Sequence, residues 1–301
     1  MALVALANMG ATPERLRAFF DMWDEKYAIP APVSKIRIAR DDWHTQLRGD
    51  DFEAMRDCFE AWIHEDGIDA VLLVVLSRIP FAPATGAFHA LIRLGYGLES
   101  GHVAEMAAGL AYLMVGNVDV AVPPSQSAAT VEAGFASISA AMAGSSFSGE
   151  SIVAQVRGAV ADPRFAPALC AVPVGTGLLA DMARLAIAAY WQTRNFTVMH
   201  MVTGLYAARQ VFAHLPEALV LRLLPQMWVS LCGAYASVGA PLIHASQLEN
   251  DTLPTEEDWA ELFKKAVLSD DDHEIKMTYT CYRESQIYPS PLYFAAAKRI
   301  F

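Results

Sequence analysis

Apolar residues recur every three to four positions along most of this chain, the spacing that lines one face of a helix, while the period-two alternation of a half-buried strand is nearly absent. The pattern predicts helices over residues 2–9, 13–27, 51–65, 67–77, 86–98, 102–115, 128–142, 150–160, 176–192, 196–213, 216–237, 255–267, 271–285 and 290–299. Punctuation agrees with it. Thr12-Pro13-Glu14 sets a capping hydroxyl ahead of a proline at the first helical position, and Thr255-Glu256-Glu257-Asp258 has the form of a capping box. The expected fold class is all-α.

Residues Pro123 to Gly149 are rich in Ala, Ser and Gly and separate an N-terminal helical block from a C-terminal one. The chemistry-bearing residues lie on both sides of this stretch, so the expected architecture is one domain, 1–301, of two packed helical lobes at about 1–122 and 150–301. No internal repeat of fixed period is visible. With 301 residues and 54% hydrophobic content, the chain has the means to bury an extensive core.

A net charge of −11 argues against nucleic acid or an anionic membrane surface as a partner, because both need a basic footprint. A small molecule or a protein is expected instead. The windows Ile68–Leu76 and Met106–Pro124 are too short, or are interrupted by Asn117, Asp119 and Pro123, so no bilayer-spanning segment is expected. Cys58, Cys170, Cys232 and Cys281 are far apart, without a Cys-x-x-Cys pair or a secretory leader. That usage predicts reduced thiols and a cytoplasmic protein, with neither a disulfide framework nor a zinc site.

Three histidines change the picture. His89 and His200 sit in apolar, helix-like segments, and His273 follows the run Ser269-Asp270-Asp271-Asp272 with Lys276 three residues on, on the same helical face. Neutral imidazole binds first-row divalent metals well, and helical bundles build metal sites from inward side chains on different helices. Taken singly, each ring reads equally as a core histidine bonded to a backbone carbonyl. Lys276 on its own reads as a surface residue offsetting three aspartates, yet Met277, Tyr279 and Cys281 continue its helix, so its face is not plainly solvated. Buried beside metal-bound imidazoles, its amine is pushed toward the neutral form. A neutral amine takes up carbon dioxide to give a carbamate, an anionic oxygen ligand.

Glu99 and Glu105 are candidates to orient an imidazole through its second nitrogen, or are ordinary helix-surface charge. Arg93 and Tyr96, on the helix of His89, are candidates to contact a phenolic substrate or to stabilise packing. His44, His64, His102 and His214 lie in polar segments or at helix ends and are assigned to solvation or capping, with His244 undecided. Gly175-Thr176-Gly177 lacks the strand–turn–helix setting of a phosphate or dinucleotide loop, and no Gly-x-Ser-x-Gly elbow occurs.

The segments Gly86-Ala87-Phe88-His89 with Leu94-Gly95-Tyr96-Gly97-Leu98-Glu99, then Met199-His200-Met201-Val202-Thr203-Gly204, then Asp271-Asp272-His273-Glu274-Ile275-Lys276, closely resemble in this order the questin oxidase-like family. The tail Pro291-Leu292-Tyr293-Phe294-Ala295-Ala296-Ala297 also fits, and the resemblance spans essentially the whole chain. It implies oxidative opening of anthraquinone-type polyketide rings, either by Baeyer–Villiger-like oxidation or by dioxygenation at a mononuclear non-haem iron, with Fe(II) held by His89, His200, His273 and a carboxylated Lys276. It also implies an aromatic or quinone-like substrate, and leaves open whether a reductant such as NADPH is needed. Such proteins usually carry an Asn-His element just before the first helix, whose counterpart here begins at Met1. Either a ligand histidine lies upstream of the recorded start, or three histidines and Lys276 suffice.

Two other readings stand beside this one. The 12 methionines and many aromatics suit a non-catalytic helical protein that binds an apolar ligand, as they suit an ordinary core. Hydrolysis at a lysine-carbamate metal centre ranks lower, since such sites usually bridge two metals with carboxylates on strand ends.

Overall fold

Capping side chains start most of the helices in the computed structural model, which describes residues 1–28, 30, 33–34, 36–244 and 252–301. In chain order these are α1 (Ala2–Asn8), α2 (Pro13–Tyr27), α3 (Phe52–Asp66), α4 (Ile68–Arg78), α5 (His89–Ser100), α6 (Val103–Val115), α7 (Val131–Met142) and α8 (Ile152–Ala161). They continue as α9 (Phe165–Ala168), α10 (Leu178–Thr193), α11 (Phe196–Phe212), α12 (Glu217–Ser237), α13 (Glu256–Leu268), α14 (Asp272–Ser285) and α15 (Pro291–Lys298). A 3-10 turn at Trp43–Gln46 and a parallel bridge of β1 (Gln126–Ser127) with β2 (Cys170–Ala171) complete the described elements. The protein is all-α, as its periodicity predicts. Each predicted helix is present to within three residues at either end, and the single turn α9 and the 3-10 turn are new among the described residues. Thr12 caps α2 by accepting from the Arg15 amide, and Thr255 and Asp258 form the reciprocal capping box of α13.

The chain divides into two compact units, one of Met1–Val33 with Ala245–Phe301 and one of Ser34–His244. The Ala/Ser/Gly-rich stretch lies inside the second unit, where its residues 131–142 form α7. Small residues there serve close packing: a Cβ on Gly134 would stand 2.6 Å from the Trp228 ring, and Phe135 stacks on Tyr235 at 4.5 Å. The helix expected at 128–142 thus forms inside the Ala/Ser/Gly-rich stretch, whose small residues let an aromatic cluster approach a backbone.

α12 is long and apolar enough to cross a membrane, which the sequence windows considered above did not include. Two thirds of its apolar window (67%) is packed inside the protein, and Pro225 lies within the helix. It is the core helix of the second unit, set against α7, α8, α10 and α11.

What positions the chemistry is the contact of α5 with α6 and α11. A Cβ on Gly95 would come within 2.9 Å of Ala207 in α11, and one on Gly109 within 2.7 Å of Leu94 in α5. Glycine at both points lets the helix axes approach more closely than side chains allow. His89 meets His200, and Tyr96 meets Tyr206 two turns on, so α5 and α11 run in the same direction. In the first unit, Trp259 of α13 packs edge-on against Tyr282 of α14 and Phe294 of α15, at 5.4 and 5.0 Å, and α1 lies against α14.

Candidate metal centre

α5 begins at His89, three residues later than periodicity predicts, because Gly86, Ala87 and Phe88 all take left-handed backbone, with φ of 57°, 56° and 69°. For Ala87 and Phe88 that conformation costs about 1–2 kcal/mol each. Surrounding packing holds it. Phe88 is buried and its ring lies against Gly204 of α11, where a Cβ would come within 2.8 Å of it. Folding the chain back in this way brings the Gly86 carbonyl to 2.7 Å from His89 Nδ1.

His200 lies one turn into α11, which starts from Asn195, whose side chain accepts the amides of Thr197 and Val198. Its Nδ1 stands 2.8 Å from the Phe196 carbonyl, and the Phe196 ring meets the imidazole edge-on at 4.6 Å. A carbonyl only accepts, so in both histidines Nδ1 carries the proton, and in the neutral ring Nε2 carries the lone pair. The rings stand 4.7 Å apart between centroids, with a ring nitrogen of one within 4.8 Å of a ring nitrogen of the other. Two imidazole nitrogens at about 2 Å from one ion are separated by up to about 4 Å, so this pair needs little movement to share a metal. A lone core histidine explains the carbonyl bond, but not two such rings from separate helices side by side.

The four weaker candidates lie along the seams of α5 with α6 and α11. Arg93 grips both oxygens of Glu105, Nε and Nη2 each at 2.8 Å, tying α5 to α6. Hydrogen bonds from Arg93 hold the Glu105 carboxyl below its ordinary value against the opposing push of partial burial. Tyr206 donates its hydroxyl to Glu99, and Tyr96 packs edge-on against the Tyr206 ring at 5.7 Å. The carbonyls of Gly86 and Phe196 anchor Nδ1 of His89 and His200.

In the other unit, α14 carries His273 and Lys276. Asp271 is its N-cap and accepts the amides of His273 and Glu274 at 2.8 and 3.4 Å. Asp272, next in line, has Oδ1 at 2.9 Å from His273 Nδ1 and Oδ2 in an ion pair with Lys276 Nζ. Lys276 is buried at 4% exposure, so it is not the solvated residue that its acidic surroundings suggest. Burial alone would raise the Asp272 carboxyl, but the His273 hydrogen bond and the Lys276 charge together outweigh it and hold it well below the usual carboxylate range. The loop before α14 is fixed by Arg15 of α2, which donates to the Val267 carbonyl at 2.6 Å, to the Ser269 carbonyl and to Asp270 Oδ1 at 2.9 Å.

Asp272 and Arg15 are the residues that sequence reasoning missed. An acidic run looks like a solvated surface, and only the depth of Asp272, with 16% of its side chain exposed against 57% for Asp271, separates one aspartate from its neighbours. Other histidines behave as expected of polar positions: His102 caps α6 by accepting from the Glu105 amide, and His214 pairs with Asp69 at 2.7 Å. All four cysteines are free, three of them buried. Imidazole donors whose Nδ1 is already anchored suit a first-row divalent ion, and a buried lysine amine is the added feature.

Compared with known families, the chain matches the one described as Questin oxidase-like over residues 1–193 and 178–281. No curated protein matches it.

Proposed function

The chain belongs to the questin oxidase-like family, and from that premise we propose an oxygenase that oxidises or cleaves the ring of an aromatic or quinone-type substrate at Fe(II) held by His89, His200, His273 and Lys276. Family membership supports the coarser part, an oxidoreductase of polyketide-type substrates. One observation carries the finer part: α5 and α11 set two imidazoles side by side with both Nδ1 atoms anchored, so that both Nε2 atoms are donors. Iron in such a donor set supplies activation of dioxygen.

Around it, the chain's own residues bind and orient. The Gly86 and Phe196 carbonyls fix ring tautomers, and the Arg93–Glu105 pair braces α5 on α6. Lys276 contributes as a carbamate: its neutral amine attacks carbon dioxide, a C–N bond forms, and one proton leaves to solvent. Burial favours the neutral amine, whereas the Asp272 carboxylate opposes it, so carbamate formation requires that ion pair to open. A reductant such as NADPH is consumed only if one oxygen atom of dioxygen is inserted and the other leaves as water. Four free thiols accord with a reducing, cytoplasmic setting.

Reconstitution of purified protein with Fe(II) under anaerobic conditions, in bicarbonate, tests the centre. One iron per chain is expected, lost in His89→Ala, His200→Ala and His273→Ala variants that retain the helical far-UV spectrum. Failure of the parent protein to hold iron would overturn the reading and favour a ligand-binding helical protein.

A further inference from the structure

All three histidines of the proposed centre hold Nδ1 against an oxygen, and the third does so differently. His89 and His200 anchor Nδ1 on backbone carbonyls, but His273 anchors it on the Asp272 carboxylate. The same carboxylate holds the Lys276 amine with its other oxygen. We propose that Asp272 is a positioning residue of the centre, a half-buried carboxylate that sets the tautomer and ring orientation of His273 with one oxygen, while the other holds the Lys276 amine until that ion pair opens.

Geometry divides the labour between neighbouring aspartates. Asp271 Oδ1 lies 3.5 Å from His273 Nδ1, but it is committed to the backbone amides at the start of α14, and its side chain is 57% exposed. Asp272 Oδ1 is at 2.9 Å from the same nitrogen, on a side chain 16% exposed. Asp272 and Lys276 are four residues apart and face each other across one turn, while the His273 ring folds back toward its predecessor. Glu274, the other nearby acid, is occupied by the Ser269 hydroxyl at 2.5 Å. A carboxylate that accepts from an imidazole N–H makes the opposite nitrogen a better donor, and loss of such a partner typically weakens metal binding about 10–100-fold.

Asp272 also carries a plainer role, as a negative charge in the first turn of a helix. Charge and geometry separate in two substitutions. Asp272→Asn keeps the shape, but an amide offers one acceptor and one donor to two neighbours that both donate, so it satisfies at most one of them. Asp272→Glu keeps the charge and moves it by one methylene.

The inference rests on the metal-centre reading, yet its first measurement needs no metal. In 15N-histidine spectra of the metal-free parent protein near pH 8, His273 is expected in the Nδ1–H form. Finding it as Nε2–H would overturn the proposal without any variant. In Asp272→Asn the Nδ1–H population is expected to fall, and affinity for Fe(II) or Co(II), measured by chelator competition, to drop about 10–100-fold. Asp272→Glu should recover part of that loss, and Asp271→Asn should leave the tautomer unchanged. A folded Asp272→Asn protein with unaltered tautomer and affinity refutes the positioning role. A parent protein that binds no metal while showing the Nδ1–H form defeats the iron reading instead, and leaves Asp272 as the anchor of His273 alone.

Discussion

At the scale of single residues, side-chain roles follow from who is buried beside whom. Arg93 and Glu105 form a bidentate pair at a half-buried seam between α5 and α6, so their contribution is set by protonation of Glu105. Its folded pKa lies below the ordinary 4.5. A carboxyl depressed by folding stabilises the native state above its unfolded pKa, and loses that contribution as pH falls through its lower folded value. The stability difference between parent protein and Glu105→Gln should therefore be constant above about pH 5 and shrink progressively below it. Urea denaturation midpoints of both proteins between neutral and acidic pH measure this. A difference that does not change with pH would show that the pair is merely a surface contact, screened and nearly neutral in effect.

At the scale of elements, the helices were legible because each carries its own instructions. Apolar spacing gives the face, and Thr12, Asp51, Thr130, Ser151, Asn195, Thr255, Asp271 and Ser290 give the start by accepting first-turn amides. The beginning of α5 was not legible. Ala87 and Phe88 are residues that periodicity assigns to a helix, and only tertiary packing of Phe88 on Gly204 holds them left-handed. The same contact explains how the site is reached. His89 and His200 stood out in sequence as polar rings in apolar helices, but the turn that delivers His89 depends on a residue 116 positions away from Phe88, at Gly204. Gly204→Ala tests that dependence. Its Cβ would press on the Phe88 ring and cost about 1–3 kcal/mol of stability by overpacking. More tellingly, it should weaken metal binding although no ligand is altered, because displacing Phe88 tilts the first turn of α5. Gly175→Ala, whose Cβ meets nothing within 4 Å, is the matched control and should leave both properties unchanged.

At the scale of the whole molecule, the proposed ligand set takes His89 and His200 from residues 34–244 and His273 with Lys276 from the unit that pairs the two chain ends. A metal that takes ligands from both units stabilises both by mass action, by about 2.7 kcal/mol when free metal is a hundred times its dissociation constant. Nature supplies reporters in each. Cys281 is fully buried in α14 of one unit, where burial pushes its thiol far above the ordinary range, and Cys232 is equally buried in α12 of the other. Both are inert to a thiol reagent until their surroundings open, so their labelling rates read the opening free energy of each unit. Metal should slow labelling of Cys281 and Cys232 alike in the parent protein. The decisive comparison is His200→Ala, which touches only the unit of Cys232. If one ion is shared, this variant loses metal protection at Cys281 as well. Should Cys281 remain protected by metal in His200→Ala, the ion is held by Asp271, Asp272 and His273, whose ligand atoms already lie within 4.8 Å of one another, and the four-residue centre is wrong.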